Sequence, residues 1–439
     1  MLAAAFSMSA CSGGNNNNLT EEDFNVKQFP ENEFVVMADL PPIHNDYQLE
    51  LYKDAGFNTY IMTEDYVSAT ENIDEYFAAV DMIGEKGLDV FIRGYDGSAC
   101  PTYFERFFGK NFLDHSAIKG IYMIDEPSIS MFRDIADIYV PWYNEHYTDL
   151  YWHLNLFPSY AGSAILGIPQ DPGDTRSSYE YYIDEYCENI LSKVKGPKDI
   201  SLDHYPLRTR NNENYLSNMW LYDLMVVANA AKKTNSDFTV CIQSFDGGYR
   251  LPQSSADIKF QIYTSMAFGA SMFEFFCYSS SMALNFNALV TNGRPTDVYY
   301  YVKEANAEIQ QLAAAFKSFK WTGVATVSGS ENGGNDGFDV IQDKVLKTVP
   351  GVKEITASAD CLVGCFEEAG GMKSYMIVNY GEPTDNINNT VKITFDDADG
   401  LEVYRYGVRT VYPINKNTAE IPLGAGEGVF VIPLERKTK

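Results

Sequence analysis

Leu51-Tyr52-Lys53-Asp54-Ala55-Gly56-Phe57-Asn58-Thr59 closes a helix pattern on a glycine and opens a strand behind an asparagine. Glycine enters the left-handed region without a Cβ penalty, so it stops helices well. Gly84-Glu85-Lys86-Gly87-Leu88-Asp89-Val90 repeats the same helix-stop, strand-start design. Working outward, short apolar strand patterns fall at 34–39, 59–63, 89–94, 120–125, 150–157, 200–205, 238–244 and 271–278. Helix patterns follow most of them, at 47–55, 73–86, 128–147, 179–195, 213–233, 255–268 and 298–319, while the third connection, 101–108, is short. Such alternation predicts βα units and a parallel sheet. Eight repeats predict an α/β fold of the (β/α)8 TIM-barrel type. The competitor is a doubly wound open sheet, but no glycine-rich fingerprint follows the first strand to support it.

After Trp321 the period changes. Gly, Asn, Asp and Thr punctuate alternating runs at 362–367, 374–380, 390–395, 402–406, 418–422 and 428–433. Period-two alternation at this spacing predicts a C-terminal antiparallel β-sandwich. The expected division is a leader and tether over 1–32, a barrel over 33–320 and an accessory sandwich over 321–439.

Hydrophobic residues make up 45% of the 439 residues and charged residues 21%, which suits packed cores rather than disorder. The formal net charge of −27 repels nucleic acid and anionic headgroups, so no nucleic-acid partner is expected. It also disfavours polyanionic substrates, unless a local basic pocket overrides it. Aromatic residues reach 14%, and the C–H faces of sugar rings stack on such side chains.

Leu2-Ala3-Ala4-Ala5-Phe6-Ser7-Met8-Ser9-Ala10-Cys11 is an apolar run too short to span a bilayer, ending in small residues and a cysteine. It resembles the lipobox of a bacterial lipoprotein signal, in which the cysteine becomes the lipidated first residue. The basic residues that head such signals are missing before Cys11. Ser12-Gly13-Gly14-Asn15-Asn16-Asn17-Asn18 reads as a flexible tether. The resemblance implies an exported protein held in the cell envelope, touching membrane only through lipid on Cys11. The other six cysteines show no CxxC pair, and mostly free, buried thiols are expected.

A parallel barrel builds its site at the C-terminal ends of its strands. The polar residues there are Asp39, Glu64, Asp65, Arg93, Tyr95, Asp96, Asp125, Glu126, Asn155, Asp203, His204, Tyr205, Gln243 and Tyr278. Several carboxylates aimed at one mouth suit glycoside hydrolysis, where one protonates the leaving oxygen and another acts as nucleophile or base. Ile124-Asp125-Glu126-Pro127 ends the fourth strand, and strand parity puts Tyr122, Ile124 and Glu126 on one face. Pro127 suits the first turn of the next helix.

Here the chain resembles clan-A glycoside hydrolases, whose acid/base Glu ends strand four after an Asn and often precedes Pro. Asp125 stands where that Asn is usual. Leu202-Asp203-His204-Tyr205-Pro206 resembles barrels that use a His/Tyr pair at strand six to hold the sugar and the second carboxylate. Met266-Ala267-Phe268-Gly269-Ala270 before an aromatic strand resembles the last βα step of β-galactosidase-like enzymes. Strand seven departs from the pattern: it carries Gln243 where the clan has its nucleophilic Glu. Glu274 on strand eight lies among Phe276 and Tyr278, where a carboxylate either needs a partner, such as Arg93 or another barrel residue, or has its pKa raised.

Three mechanisms remain open at this point. Glu126 acts as acid with Asp203 as base; or Glu126 acts with Glu274; or Asp125 and Glu126 work as an adjacent pair with a substrate acetamido group as nucleophile, as in hexosaminidase-like enzymes. The expected function is hydrolysis of a glycosidic bond in a neutral oligo- or polysaccharide, with Asp39, Arg93, Asp125, Asn155, His204, Tyr205, Gln243 and Tyr278 binding substrate. No cofactor and no metal are expected, because the five histidines show no metal-ligand spacing and no phosphate loop occurs. Two competitors stand beside it: a surface glycan-binding protein on a degenerate barrel, and a purely structural envelope lipoprotein.

Overall fold

The computed structural model describes residues 19–42, 45–62, 73–93, 115–169, 176–280 and 286–438. The chain divides into two compact units. One holds Phe34–Ile258 and Ala270–Asn306; the other holds the described residues of Met1–Glu33, Lys259–Gly269 and Ala307–Lys439.

The larger unit carries eight parallel strands: β1 Val35–Ala38, β2 Thr59–Met62, β3 Asp89–Arg93, β4 Ile118–Asp125, β5 Tyr151–Asn155, β6 Asp199–Leu202, β7 Asp237–Gln243 and β8 Met272–Phe276. They pair in parallel as β2-β3-β4-β5 and β1-β8-β7-β6. The two sheets also bond at both seams. Asn58 accepts from the Val36 amide (2.9 Å) and donates its own amide to the Val36 carbonyl (3.1 Å), joining β1 to β2. The Trp152 amide donates to Pro197 (2.9 Å) and the Asp203 amide to Leu156 (3.2 Å), joining the β5 and β6 ends. Met37, Ile61, Phe91, Tyr122 and Met272, from strands of both sheets, form one buried cluster. Such strands, covered on both faces, read as near-continuous apolar runs.

The opening glycine keeps its assigned role. Gly56 sits at φ +85°, and a Cβ there would stand 2.6 Å from Cβ of Asn306. The helix before it, Asp46–Asp54, is capped by Asn45, whose side chain accepts from the Gln48 amide. Gly120 lets β4 approach β3, since a Cβ there would fall 2.6 Å from the Phe91 ring.

Two segments of the larger unit differ from the sequence expectation. The helix expected over 213–233 begins only at Trp220; before it, Leu207–Arg210 and Glu213–Leu216 form an antiparallel hairpin. Asn211 and Asn212, both at positive φ, make its two-residue turn. The helix expected over 128–147 forms as Ile129–Asp134 and Val140–His146 around a wider π turn, Ile135–Tyr139, just ahead of Pro141, which has no N–H to give an α-helical bond. The third connection, 101–108, lies outside the described residues, as do Glu64, Asp65, Tyr95 and Asp96.

The smaller unit is antiparallel. Six strands, Lys320–Val327, Cys361–Glu367, Lys373–Asn379, Gly428–Leu434, Gly400–Arg405 and Val408–Pro413, form one sheet in that order. Val352–Ala357, Asn389–Phe395 and Thr418–Leu423 form a second. Side chains from both, among them Val363, Ile377, Val391, Ile393, Val403, Ile421 and Val431, share one core. Val352–Ala357 and Val408–Pro413 escaped the sequence reading because most of their residues are exposed or half-exposed, leaving no clean apolar alternation. Cys187, Cys241, Cys277, Cys361 and Cys365 are free, buried thiols.

Candidate active site

At the C-terminal ends of the parallel strands, polar side chains join into one network. Arg93 at the end of β3 sets one guanidinium nitrogen on Asp39 (3.1 and 3.2 Å) and the other on Asp125 (2.9 Å). Burial works against its charge, but its neighbours, Asp39 first, hold the guanidinium above its ordinary pKa. Its plane also lies 4.6 Å from the Tyr122 ring centroid. Tyr122 donates to Asp125 (3.1 Å), and burial raises its phenol well above the usual range, so the proton stays there.

Asn155 at the end of β5 donates to Asp125 (3.2 Å) and to Asp203 (3.1 Å), while its oxygen accepts from Ser201 (2.8 Å). The second Asp203 oxygen is buried and has no partner among the described residues. Burial, and then the charge of Glu126, raise the Asp203 carboxyl well above the usual carboxylate range.

Glu126 is placed differently from the parity expectation. The β4–β5 register shifts between Tyr122 and Asp125, and this bulge turns Tyr122 and Asp125 toward the same partner, Arg93. Glu126 then stands at φ +46°, an uncommon conformation for a residue with a side chain. Its amide is tied to the Asn155 carbonyl (3.0 Å). Burial, reinforced by the charge of Asp125, lifts its carboxyl to about 7. Among the described residues nothing hydrogen-bonds that half-buried carboxyl.

Glu274 is fully inside, deeper along β8. Its partner is not Arg93 but His153, at 3.2 Å, and the other ring nitrogen of His153 meets Asp199 at 2.8 Å. Burial opposes charge on His153, yet Asp199 and Glu274 outweigh it and lift the imidazole to about 10. Glu274 itself is raised, chiefly by burial. His153 and Asp199 escaped the sequence reading because a lone His inside an apolar strand carries no spacing signal.

Three expected substrate-binding residues are engaged elsewhere. His204 is fully buried, with Asp223 at 2.7 Å on one ring nitrogen and Ser217 at 2.8 Å on the other. Gln243 is fully buried; its oxygen accepts from the Leu207 amide (2.9 Å) and its nitrogen donates to the Leu207 (3.1 Å) and Arg250 (2.6 Å) carbonyls. The Tyr278 amide donates to the Asp39 carbonyl (3.0 Å), while its ring packs edge-on against Tyr52 and Phe57. Tyr205 belongs to an aromatic wall with Phe245, Tyr249 and Phe276, centroids 4.8–6.1 Å apart. Among the described residues, no group of three or more His, Cys, Asp or Glu is arranged to hold a metal ion, and no helix is long and apolar enough to cross a membrane.

A catalytic mutant of a GH42 β-galactosidase from G. stearothermophilus matches over 92% of this chain and 98% of its own, at 10% identity and a TM-score of 0.51. The fold is shared with a glycosidase. The β-galactosidase of Bacillus circulans sp. alkalophilus covers 91% of this chain and 99% of its own, at 9% identity and a TM-score of 0.48. A cold-adapted β-galactosidase from Rahnella sp. R3 is 14% identical with a TM-score of 0.43, over 73% of this chain, which spans 62% of that enzyme. No family model matches the sequence, and no curated protein matches it.

Proposed function

We propose that the chain is a glycoside hydrolase in which Glu126 is the general acid. Glu126 carries this reading. It follows a bulged strand end, its carboxyl has no hydrogen-bond partner among the described residues, and it holds its proton up to about 7. A general acid works best with a pKa near the operating pH. The two sheets, bonded at both seams, fit one closed (β/α)8 barrel, and the two C-terminal sheets around one core fit an accessory sandwich.

Asp203 supplies the second carboxyl. Burial first, and then the charge of Glu126, raise Asp203, so Asp203 serves as base only where it ionises while Glu126 keeps its proton. That is the pairing hydrolysis needs: one acid and one base in the same mouth. Asp39, Arg93, Asp125 and Asn155 hold the frame, and Glu274, locked to His153, supports it from below. The substrate is an oligo- or polysaccharide. The Cys11 lipobox motif supports export and anchoring in the cell envelope; loss of palmitate incorporation in Cys11→Ser tests that part.

Turnover of a panel of disaccharide glycosides, whose leaving alcohols need protonation, by wild type, Glu126→Gln and Asp203→Asn tests the assignment. One or more glycosides should be cleaved by wild type and both variants should be at least about 10²-fold slower. The engagement of Gln243 with backbone, leaving strand β7 no nucleophile, favours a second reading, a glycan-binding barrel without turnover. Saturable binding with no cleavage of any glycoside would decide for it.

A further inference from the structure

Among the described residues, Arg208 is a cation without a carboxylate. It lies on the first strand of the hairpin Leu207–Arg210/Glu213–Leu216, which leaves β6 just after Asp203. Its guanidinium stands 4.3 Å from the ring centroid of Tyr249 and 4.9 Å from that of Tyr160. The two phenol oxygens are 3.4 Å apart. Tyr160 comes from the segment after β5 and Tyr249 from the segment after β7, so three successive strand-to-helix connections converge on one guanidinium. Tyr160 is 42% exposed, and the charge of Asp203 reaches it.

Other arginines drawn into this acidic chain face acids: Arg93 pairs with Asp39 and Asp125, Arg250 with Asp257, Arg405 with Glu427, Arg409 with Glu402. Among the described residues, neither ion pair nor hydrogen bond reaches the Arg208 guanidinium. Stacking holds a guanidinium by its faces and leaves its N–H edge available. That edge has the fork geometry of a carboxylate. The expectation of a neutral glycan rested on the net charge of −27, and a local cation of this kind reverses it at short range.

We propose that Arg208, held by Tyr160 and Tyr249, receives the carboxylate of a uronic acid residue in the substrate, so that the site takes an acidic rather than a neutral glycan. The proposal takes its ligand class from the glycosidase reading above. Methyl glucuronide, galacturonide and mannuronide, each beside its neutral parent glycoside and the parent's 6-sulfate, are titrated into wild-type protein, Arg208→Met and Arg208→Lys, with affinity read by calorimetry or ligand-observed NMR and folding by circular dichroism. At least one uronide should bind wild type about tenfold more tightly than its neutral parent, one charge-assisted pair's worth. Arg208→Met should abolish that preference while leaving the neutral glycoside within about twofold, and Arg208→Lys, which keeps the charge but loses the fork, should fall between. No uronide preference in wild type, or a preference that survives Arg208→Met, overturns the proposal; a 6-sulfate bound more tightly than every uronide overturns the carboxylate assignment. Uronide preference without any hydrolysis would contradict the glycosidase reading and leave this one standing.

Discussion

Glu126 and Asp125 are neighbours with opposite surroundings. The Asp125 carboxylate accepts from Arg93, Tyr122 and Asn155, whereas the Glu126 carboxyl has no hydrogen-bond partner among the described residues and keeps its proton to about 7. The rate should therefore follow the acid form of Glu126: kcat/KM falls as pH rises through about 7, and a profile flat to pH 9 would speak against this role. Stability carries the same signature. A carboxyl raised in the folded state binds its proton more tightly folded than unfolded, so the folded state loses stability as pH rises from the ordinary value of 4.5 through about 7. Glu126→Gln should accordingly melt higher than wild type at pH 8, with the gain shrinking toward pH 5. A variant that is less stable at pH 8 would show that Glu126 is a structural acid.

Strand ends and connections set where these residues point. Gly120→Ala would push a Cβ to 2.6 Å from the Phe91 ring between β3 and β4, and should cost about 1–3 kcal/mol in a denaturant titration. A neutral result would mean that the two strands can separate freely. Gln243→Leu removes three hydrogen bonds to the backbone at Leu207 and Arg250, so it should destabilise the protein and loosen the hairpin that carries Arg208. At this scale the sequence was legible wherever the period is strong. The Gly56 and Gly87 stops and the eight strand patterns appear in the structure. The β4 bulge was not legible, because parity counting assumes an unbroken pleat. The hairpin at 207–216 was read partly as helix because Tyr215 and Leu216 fall in step with the helix that follows. Gln243 looked like a vacant nucleophile position in the sequence; only the fold shows that its amide is fully used.

Across the whole larger unit, carboxylates, a raised imidazole and a raised guanidinium alternate inside a chain of net charge −27. His153 adds stability that is complete below its unfolded value of 6.5 and disappears as pH rises through about 10, while Glu126 loses its own contribution between 4.5 and about 7. These two groups push the same way, so thermal stability should decline from pH 6 to pH 10, and the alkaline part of the decline should flatten in His153→Gln. In the proposed reaction Glu126 donates a proton to the leaving oxygen. The most direct test compares Glu126→Gln with wild type on two glycosides of one accepted sugar, one with a 2,4-dinitrophenyl leaving group, which departs without protonation, and one with a methyl leaving group, which does not. Glu126→Gln should lose about 10³-fold or more on the methyl glycoside and far less on the dinitrophenyl glycoside. Equal losses on both, or full activity on the methyl glycoside, would contradict it.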